Sequence, residues 1–594
     1  MSPSTPPDAR GISGRVVAWA LAAVLIVVVL AAGWIGVRGF LAYGHLTDAQ
    51  DAAAEVAASL DDPTTAGEAI AGISADTSAA RSLTSDPIWQ AAESLPWIGP
   101  QLAAVSTVTA AVDDVASSAL TPLAEVASSF SVDAIRPRDG SVDVSLFETL
   151  QPAAREGADG IGAAAASVAA IDTSRLLGPL RAPVTEAAEL LDTTSAGAET
   201  LARATELMPA MLGADGPRNY LVIFQNNAEW RSQGGIVGAM AVIATDGGRM
   251  SLAAQGSSGD FERYPEPVVP FSPDILSVYG ERPGLYIQNA TQVADFALTG
   301  QIAKEMWARE FGTQVDGVIS IDPVALSYLL QATGPITLPT GDVLTSENAV
   351  DLLLNGVYQR YSEPSDQDVF FEVAAAKIFE ALASGAAEPR PLLEALTQAS
   401  EERRLILWSA RAEDQAVLDG TSLQGGLPVT DAEQTAFGVY LNDGTGSKMD
   451  YYLAADTSVG WCTGVDGLSE AGLSVTVRND APADAASLPR YITGGGSFGV
   501  PEGSARTLTY VYLPTGASLV SSEASNSAAG TVFGGGFDAG RQVVSWTTEL
   551  APGEEATLVV RVGTPRTPRL NVNLSPTVNA NETQEFATSC DKAG

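Results

Sequence analysis

Histidine is almost missing from this chain of 594 residues, which contains only His45. Catalytic triads of the Ser-His-Asp kind need an imidazole beside the nucleophile, and most zinc sites need imidazole or several thiolates. His45 stands close to a long apolar run near the N-terminus. The sequence therefore argues against both of these site classes.

Positive charge is scarce as well. The chain has 32 Lys and Arg residues against 71 Asp and Glu residues, a formal net charge of −39. Lysine occurs only at Lys304, Lys377, Lys448 and Lys592. A groove that follows a phosphate backbone needs a positive field, so the composition argues against nucleic-acid binding.

Cysteine is limited to Cys462 and Cys590, which lie near the two ends of the C-terminal region. In a protein exported from the cytoplasm, such a pair usually forms a disulfide. The sequence favours one disulfide between them. The alternative is two unpaired buried thiols.

One long apolar run is present near the N-terminus. It extends from Val16 to Val37, with Trp19 and Trp34 near its ends, as expected of aromatic residues at a membrane interface. At ~1.5 Å per residue the run spans ~33 Å, enough to cross a bilayer. We expect residues 15–38 to form a transmembrane helix.

The flanks of this run set the expected topology. Residues 1–14 include Arg10 and contain no acidic residue except Asp8, and Arg15 follows them directly. This weak positive bias predicts a cytoplasmic N-terminus, with everything after about residue 40 outside. A cleaved signal peptide is the rival interpretation. The length of the run and the lack of a small-residue cleavage site disfavour it.

Residues 39–215 are rich in Ala, Ser, Thr, Asp and Glu and predict an all-α helical stalk or bundle. A helical seam is visible in the spacing of Val105, Val108, Val112 and Val115. A further helix is expected from Pro183 to Leu207. The region is interpreted as a spacer, with partner binding through helical faces as the alternative.

Residues 216–457 alternate strand and helix signals, which indicates an α/β domain with a mixed sheet. Strands are predicted at Leu221–Phe224, Ile236–Ile243 and Gly317–Ile321, and a helix is predicted from Thr291 to Phe311. The fold prediction requires Tyr220–Phe224 and Gly317–Ile321 to be strands of one sheet.

In residues 458–594 the apolar period changes to two. Leu473, Val475 and Val477 alternate with polar residues, and turn residues separate such runs. This pattern predicts an immunoglobulin-like β-sandwich, whose ends a disulfide would connect. It is interpreted as a structural or adhesive module, with a polysaccharide-binding face as the alternative.

The segment from Gln225 to Gly235 is the strongest site candidate in the sequence. It is predicted to be a loop between two strands, and it carries two Asn, two Gln, Glu229, Arg231 and Ser232 beside Trp230. A connector with a purely structural role does not need so many directional polar groups. We therefore expect this loop to bind a ligand.

Four ordered segments resemble the domain of unknown function 4012 family, whose members are membrane-anchored envelope proteins of high-GC Gram-positive bacteria. The segments are YLVIFQNNAEWRSQGG from 220, QVDGVISIDPVALSYLLQATGPI from 314, LTSENAVDLLLNGVY from 344 and GSKMDYYL from 446. The resemblance covers about residues 218 to 455. It implies an envelope location and no defined activity.

A more distant resemblance is to the LytR-CpsA-Psr family, which transfers glycopolymers from polyprenyl pyrophosphate to peptidoglycan. Arg231-Ser232 looks like the start of that family's first loop, and Ile287–Ala290 like its Lys-Ile-Asn-Ala element. Val318–Asp322 is similar to its strand ending in Asp, and Leu344–Leu352 to its next helix. The resemblance implies a LytR-CpsA-Psr-like α/β domain.

Pyrophosphate chemistry needs arginine forks and a divalent cation held by carboxylates. This chain departs from that pattern at three places. Gln233 stands where the family has Asp, and the family's later Arg-rich segment corresponds to residues 367–373, which lack Arg. The family's Ile-Pro-Arg-Asp element has no clear counterpart, although Asp260, Glu262 and Arg263 lie nearby. These departures weaken the expected pyrophosphate and metal sites.

The resulting candidate ligand-binding residues are Asn226, Asn227, Glu229, Arg231 and Asn289, and the candidate metal ligands are Asp260 and Asp322. Their ordinary alternatives are a salt bridge between Arg231 and Glu229, loop capping by the asparagines, and a helix N-cap for Asp322. Mg²⁺ is expected as a cofactor only if the protein is active. Three further residues that could close a pocket are Tyr358, Arg360 and Asp366.

Two functions remain open at this point. The first is an envelope protein that binds a cell-wall or surface glycopolymer or assists its assembly, as a divergent or degenerate phosphoglycosyl transferase. The second is a non-catalytic surface scaffold that binds protein or polysaccharide partners. The lack of most of the LytR-CpsA-Psr family's arginines in the expected anion pocket favours the second, and the ordered LytR-like pattern favours the first.

Overall fold

The computed structural model describes residues 10–58, 63–122, 136–463, 469–525, 532–579 and 583–585. The chain divides into two compact units. The first comprises residues 1–134 and 144–209, and the second comprises residues 135–143 and 210–594.

The first unit is helical throughout its ordered elements. These are α1 (Arg10–Ala58), α2 (Pro63–Thr84), α3 (Pro87–Glu93), α4 (Gly99–Val115), a π-helical turn (Ala116–Leu120), α5 (Ser145–Ala169) and α6 (Gly178–Met211). Within α1, the stretch Leu21–Ala53 is long and apolar enough to cross a membrane. The predicted helix at 183–207 lies inside α6.

Small residues allow the helices of this unit to approach closely. Ala111 of α4, Ala164 and Val168 of α5 and Leu191 of α6 form one buried cluster, with Val108 and Val115 packed against it. Two valines of the predicted seam therefore face neighbouring helices. The region behaves as an amphipathic bundle, because its apolar stripes recur at helical spacing.

The second unit begins with a mixed five-stranded sheet in the order β3-β2-β1-β4-β7. Its strands are β1 (Arg218–Arg231), β2 (Gly234–Asp246), β3 (Arg249–Ser257), β4 (Gly317–Ile321) and β7 (Leu405–Ser409). Strands β1 and β4 are parallel, with Tyr220 opposite Gly317 and Phe224 opposite Ile321. The predicted pairing of these two strands is confirmed.

Helices cover both faces of this sheet. The elements between β3 and β7 are α7 (Pro273–Tyr279), α8 (Arg282–Leu285), α9 (Phe296–Phe311), α10 (Pro323–Thr333), the short ladder of β5 (Ile336–Thr337) and β6 (Val343–Leu344), α11 (Ala349–Asp351), a π-helical turn (Leu352–Gly356), α12 (Val357–Arg360), α13 (Pro364–Ala383) and α14 (Pro389–Glu401). Helix α9 packs on the face that carries Leu221 and Ile223, through Trp307. It begins at Phe296 rather than at 291, because Asp295 caps it and residues 287–292 form a 3₁₀ turn.

The rest of the unit contains two five-stranded sheets, in the orders β12-β15-β10-β9-β17 and β13-β14-β11-β8-β16. Their strands are β8 (Gln434–Asp443), β9 (Leu453–Thr463), β10 (Ser469–Asn479), β11 (Ala505–Tyr512), β12 (Ser518–Ser525), β13 (Val532–Asp538), β14 (Arg541–Leu550), β15 (Glu555–Gly563), β16 (Arg569–Leu574) and β17 (Thr583–Glu585). The short helices α15 (Ala412–Leu418) and α16 (Arg490–Thr493) lie in the connections.

The two sheets share one hydrophobic core. Val475 and Val560 from the first sheet and Val511 and Trp546 from the second belong to the same buried cluster. The predicted period of two is visible in the burial of alternate residues on β10 and β15. Strand β8, which precedes the expected boundary at 457, belongs to this pair of sheets rather than to the α/β sheet.

Candidate functional site

The segment predicted to be a loop is largely part of a long hairpin. Strand β1 continues to Arg231 and β2 begins at Gly234, so only Ser232 and Gln233 form the turn. The ladder is irregular between Asn226 and Trp230, where the strand bulges. The expectation of a loop from 225 to 235 was wrong, because these polar side chains find partners outside the hairpin and the backbone can remain paired.

The partners at the hairpin tip come from the paired sheets. The Ser232 amide donates to Asn442 Oδ1 at 3.2 Å, and Ser575 Oγ donates to the Ser232 carbonyl at 2.7 Å. The Trp230 amide donates to Asp450 Oδ2 at 2.6 Å, and the Trp230 ring lies in the core of the two sheets. The hairpin tip is therefore a buried junction.

Arg231 lies at the centre of this junction and is 6% exposed. Its Nε and one terminal nitrogen donate to Asn289 Oδ1 at 3.2 and 3.0 Å, and that nitrogen also contacts Glu229 at 3.0 Å. The other terminal nitrogen donates to the Trp230 carbonyl at 2.7 Å. The guanidinium of Arg231 is thus directed at groups of the protein itself.

Glu229 connects Arg231 to a second cation. Lys448 Nζ lies 3.0 Å from Glu229 Oε2, and it also lies over the ring of Tyr358, 5.4 Å from the ring centre. Burial alone would raise the pKa of Glu229, but the charges of Lys448 and Arg231 outweigh burial and lower it. Lys448, Glu229 and Arg231 therefore form a charged row beneath the surface.

Two further carboxylates adjoin this row. Burial, with the nearby charge of Glu229, raises the pKa of Asp443 to about 6. Burial and the charge of Asp443 raise the pKa of Asp450 well above its ordinary value. Acidic groups therefore outnumber the two cations here, and the junction gains a proton in mildly acidic solution.

The two asparagines of the bulge point away from Arg231. Asn226 donates to the hydroxyl of Tyr358. Asn227 is fully buried and donates to Asp322 Oδ2 at 3.0 Å and to the Pro576 carbonyl at 3.2 Å. The structure therefore divides the five candidate ligand-binding residues into two groups, with Glu229, Arg231 and Asn289 in one and Asn226 and Asn227 in the other.

Asp322 is a helix N-cap and one half of a buried ion pair. Its Oδ1 accepts from the Ala325 amide at 2.7 Å, and its Oδ2 accepts from Arg404 at 2.8 Å. Both side chains of the pair are less than a tenth exposed. With Asn227 also bonded to Oδ2, the oxygens of this carboxylate are already engaged by the protein.

Asp260 lies elsewhere, in an exposed capping box where the Ser257 amide donates to its carboxylate at 2.7 Å. Across the described ranges, the cluster with metal-ligand spacing consists of His45, Asp48 and Asp76 in the first unit, and it includes neither Asp260 nor Asp322. The residues present do not fit a shared Mg²⁺ site.

An apolar cavity of about 280 Å³ lies between the sheet and its second helical layer. Its walls come from β1, β2 and β4 on one side and from α10, α13 and the π-helical turn on the other, with Val222, Ile319, Leu326, Leu353 and Phe371 among the lining residues. Polar groups occur at only a few places on the wall, namely Gln225, Asn226, Asp322 and Tyr358. The cavity therefore offers a hydrocarbon surface with a small polar patch.

Two polar cavities lie near the same residues. One, of about 510 Å³, is bounded by Tyr328, Glu402 and Arg404 of the α/β region and by Asn571 and Asn573 of β16. The other, of about 420 Å³, is bounded by Glu229, Lys448, Arg490 and Tyr491. Tyr358 stacks on Tyr491 with ring centres 5.5 Å apart, so Tyr358 connects the apolar cavity to the second polar one.

Comparison with known proteins places part of this chain in a family. Residues 215–358 match the family model DUF4012, which is described as a protein of unknown function. This segment belongs to the DUF4012 family. No match was found among curated proteins. Among solved structures, the transcriptional regulator yvhJ from Bacillus subtilis is similar, with 12% identity, coverage of 37% of this chain and 84% of that chain, and a TM-score of 0.21.

The DUF4012 segment ends at Tyr358, and two residues beyond it complete the site. Arg404 and Lys448 were not among the candidates, although Lys448 is one of four lysines and stands in a segment that resembles the family. Arg404 immediately precedes the buried strand β7. A charged residue at such a position predicts a buried carboxylate partner, and this signal could have identified Arg404. Of the three residues considered as pocket-closing, Tyr358 lines the cavity, and Arg360 instead pairs with Asp342 on the surface.

The predicted disulfide involves one described residue. Cys462, at the end of β9, is disulfide-bonded. Cys590 lies outside the described residues. The pairing of these two residues stays a prediction.

Proposed function

We propose that this protein is anchored in a membrane by α1, with its N-terminus in the cytoplasm and its bulk outside, and that it binds the hydrocarbon chain of a lipid-linked envelope glycopolymer. A polyprenyl-linked polymer is the ligand class that best fits an apolar cavity with a small polar patch. The apolar cavity beside β1 is the observation that supports this proposal.

The wall of the cavity decides the class of ligand. Most of the lining side chains are apolar, with Val222, Ile319, Leu326, Leu353 and Phe371 among them. Burying a hydrocarbon chain against such a wall is favourable by about 25 cal/mol per Å² of apolar surface removed from water. The lining therefore favours a hydrocarbon ligand.

The junction residues support binding without turnover. The Arg231 guanidinium is buried and bonded to Asn289, Glu229 and the Trp230 carbonyl. Pyrophosphate transfer needs arginine groups that face the substrate. The distant LytR-CpsA-Psr resemblance then reflects a shared ligand class, and the protein holds or presents the polymer as a degenerate member would.

A scaffold without a lipid ligand is the second candidate, and the self-satisfied polar groups of the hairpin tip favour it. In that case the paired sheets, of immunoglobulin type, would present binding faces to protein or polysaccharide partners. The two candidates differ in one measurable property, the affinity of the cavity for polyprenyl lipid.

The test uses full-length protein in detergent and a fluorescent polyprenyl phosphate. Gly238 lines the cavity, and a Cβ added there would meet only the Phe224 carbonyl at 3.8 Å, so Gly238→Leu fills the cavity without a backbone clash. Gly426→Leu is the matched control, because its Cβ would lie 3.5 Å from the flexible Gln424 side chain, outside the cavity.

We expect saturable binding to the wild type and at least tenfold weaker binding to Gly238→Leu, with little change in the control. Equal binding to all three proteins would place the lipid elsewhere and contradict the proposal. Release of phosphate or pyrophosphate from a polyprenyl-linked substrate by the wild type, with Mg²⁺ present, would show an enzyme instead.

A further inference from the structure

One end of the helical unit exposes a group of large apolar side chains. They belong to the turn between α3 and α4 and to the turn before α6. The exposed fractions are 50% for Leu95, 90% for Trp97, 58% for Ile98 and 65% for Leu177. Single exposed apolar residues are common on soluble proteins, but a contiguous group marks an interaction surface.

Gln101 connects the two turns that carry these side chains. Its side-chain nitrogen donates to the Trp97 carbonyl at 3.4 Å and to the Arg175 carbonyl at 2.9 Å. Its side-chain oxygen accepts from the Leu177 amide at 2.9 Å. The four apolar side chains therefore belong to one built surface, called here the apolar tip.

The apolar tip lies at the end of the bundle that adjoins the apolar half of α1. Asp86, just before α3, accepts from Trp34 Nε1 at 3.4 Å and pairs with Arg38 at 3.1 Å. Ile35 packs against the cluster of Trp89 and Leu102. Helix α3 is thus held at the end of the apolar run.

The direction of α4 places its first residues farthest toward the membrane side. Asp113, near its end, accepts from Thr77 at 3.2 Å, whereas Thr109 bonds to Thr84 at 2.7 Å. On α1, His45 lies 2.8 Å from Asp76, whereas Arg38, nearer the apolar run, donates to the Leu83 carbonyl at 2.8 Å. Helix α2 therefore approaches the apolar run as its residue numbers rise, and the antiparallel α4 moves away from it. The turn at 94–98 precedes α4 and so lies at the membrane-side end.

The backbone of Trp97 supports a function for this tip. Its φ is +71°, in the left-handed region, where a bulky residue is strained and Gly or Asn would fit at lower cost. Its side chain is nine-tenths exposed, so packing within the unit does not explain a tryptophan here. An external apolar environment does.

We infer that the apolar tip inserts into the interfacial layer of the same bilayer that α1 crosses. Tryptophan prefers this layer, and leucine and isoleucine bury their side chains at its hydrocarbon boundary. The inference rests on the membrane anchor of the proposed function and adds a second contact. Two contacts fix the tilt of the helical unit on the membrane, which a single helix would not.

The test places one environment-sensitive fluorophore on full-length protein in lipid vesicles through a new cysteine. Trp97→Cys probes the tip. Leu190→Cys is the matched control, because Leu190 is 66% exposed and lies ~20 Å farther along α6. Val28→Cys probes the anchor. Wild-type protein taken through the same labelling measures background, and circular dichroism checks that each variant folds.

Nitroxide groups on the lipid headgroup and along the acyl chain quench according to depth. We expect the label at 97 to be blue-shifted and quenched at least twofold, most strongly by the shallow nitroxide, and the label at 190 to be unquenched. If the label at 28 is quenched by the deep nitroxide but the label at 97 behaves like the label at 190, the inference is overturned and the membrane anchor stands. An unquenched label at 28 would overturn the anchor and the inference with it.

Discussion

Replacing Arg231 with alanine should destabilise the second unit strongly, because this residue is embedded in the junction of its parts. The substitution removes the four hydrogen bonds described above and leaves Asn289 Oδ1 and the Trp230 carbonyl without that donor. Removing one partner of a buried ion pair costs about 3–5 kcal/mol. Lys448 continues to hold Glu229, so we expect about 3 kcal/mol.

Arg360→Ala provides the control for this substitution. Arg360 bonds both oxygens of Asp342 at 2.9 and 2.8 Å, but its side chain is 45% exposed. Exposed pairs contribute about 0.2–1 kcal/mol. Arg231→Lys should recover less than half of the loss, because one ammonium group cannot reproduce the planar fork.

The assay is urea denaturation followed by tryptophan fluorescence, to which the adjacent Trp230 contributes. The stability difference between wild type and Arg231→Ala should exceed that of Arg360→Ala by at least 2 kcal/mol, on the order of the buried and exposed values above. If the two alanine variants were equally stable, Arg231 would not be a structural residue. The ligand-binding interpretation of Arg231 would then regain support.

Two further predictions concern carboxylates. Asp322→Ala removes an N-cap and one of the two carboxylates that hold the buried Arg404. Glu402 still pairs with Arg404, so denaturation should show a loss near the lower end for a broken buried pair, about 3 kcal/mol. The exposed cap variant Asp260→Ala should lose about 1 kcal/mol, and equal losses would contradict the buried pair. Burial and the charge of Glu229 raise the pKa of Asp443 to about 6, so the folded state binds this proton more tightly than the unfolded chain does. The free energy of unfolding should therefore fall as the pH rises from about 4 to about 6. Asp443→Asn should make this slope less negative in denaturation series at several pH values, and an unchanged slope would show that other groups cause it.

The regular elements could be predicted where local pattern and tertiary environment agree. Gly317–Ile321 is an apolar segment between turn residues, and the structure has a strand with these bounds. Pro323 follows an acid that can cap a helix, and α10 begins there with Asp322 as its N-cap. Both signals depend only on residues that are adjacent in the chain, so the sequence alone is enough to predict these two elements.

The hairpin tip could not be predicted in this way. Its polar residues predict a ligand-binding loop between two strands, but their partners lie far away in the chain, such as Asn442 and Ser575 for Ser232. The assignment of β8 to the paired sheets depends on its pairing with β11 and β16. The apolar cavity is equally non-local, because it results from how closely α13 approaches the sheet.

The insertion of Trp230 into the core of the paired sheets has an evolutionary consequence. Modular proteins can exchange domains by recombination when the crossover point in the gene divides the chain between two domains and leaves the hydrophobic core of each intact. Here the hairpin of the α/β sheet contributes the Trp230 side chain to the core of the paired sheets. Strand β8 and Asp450, which accepts from the Trp230 amide, both precede residue 457, although β8 belongs to the paired sheets. A crossover near residue 457 would therefore damage both halves, and the two parts should have been inherited together as one piece.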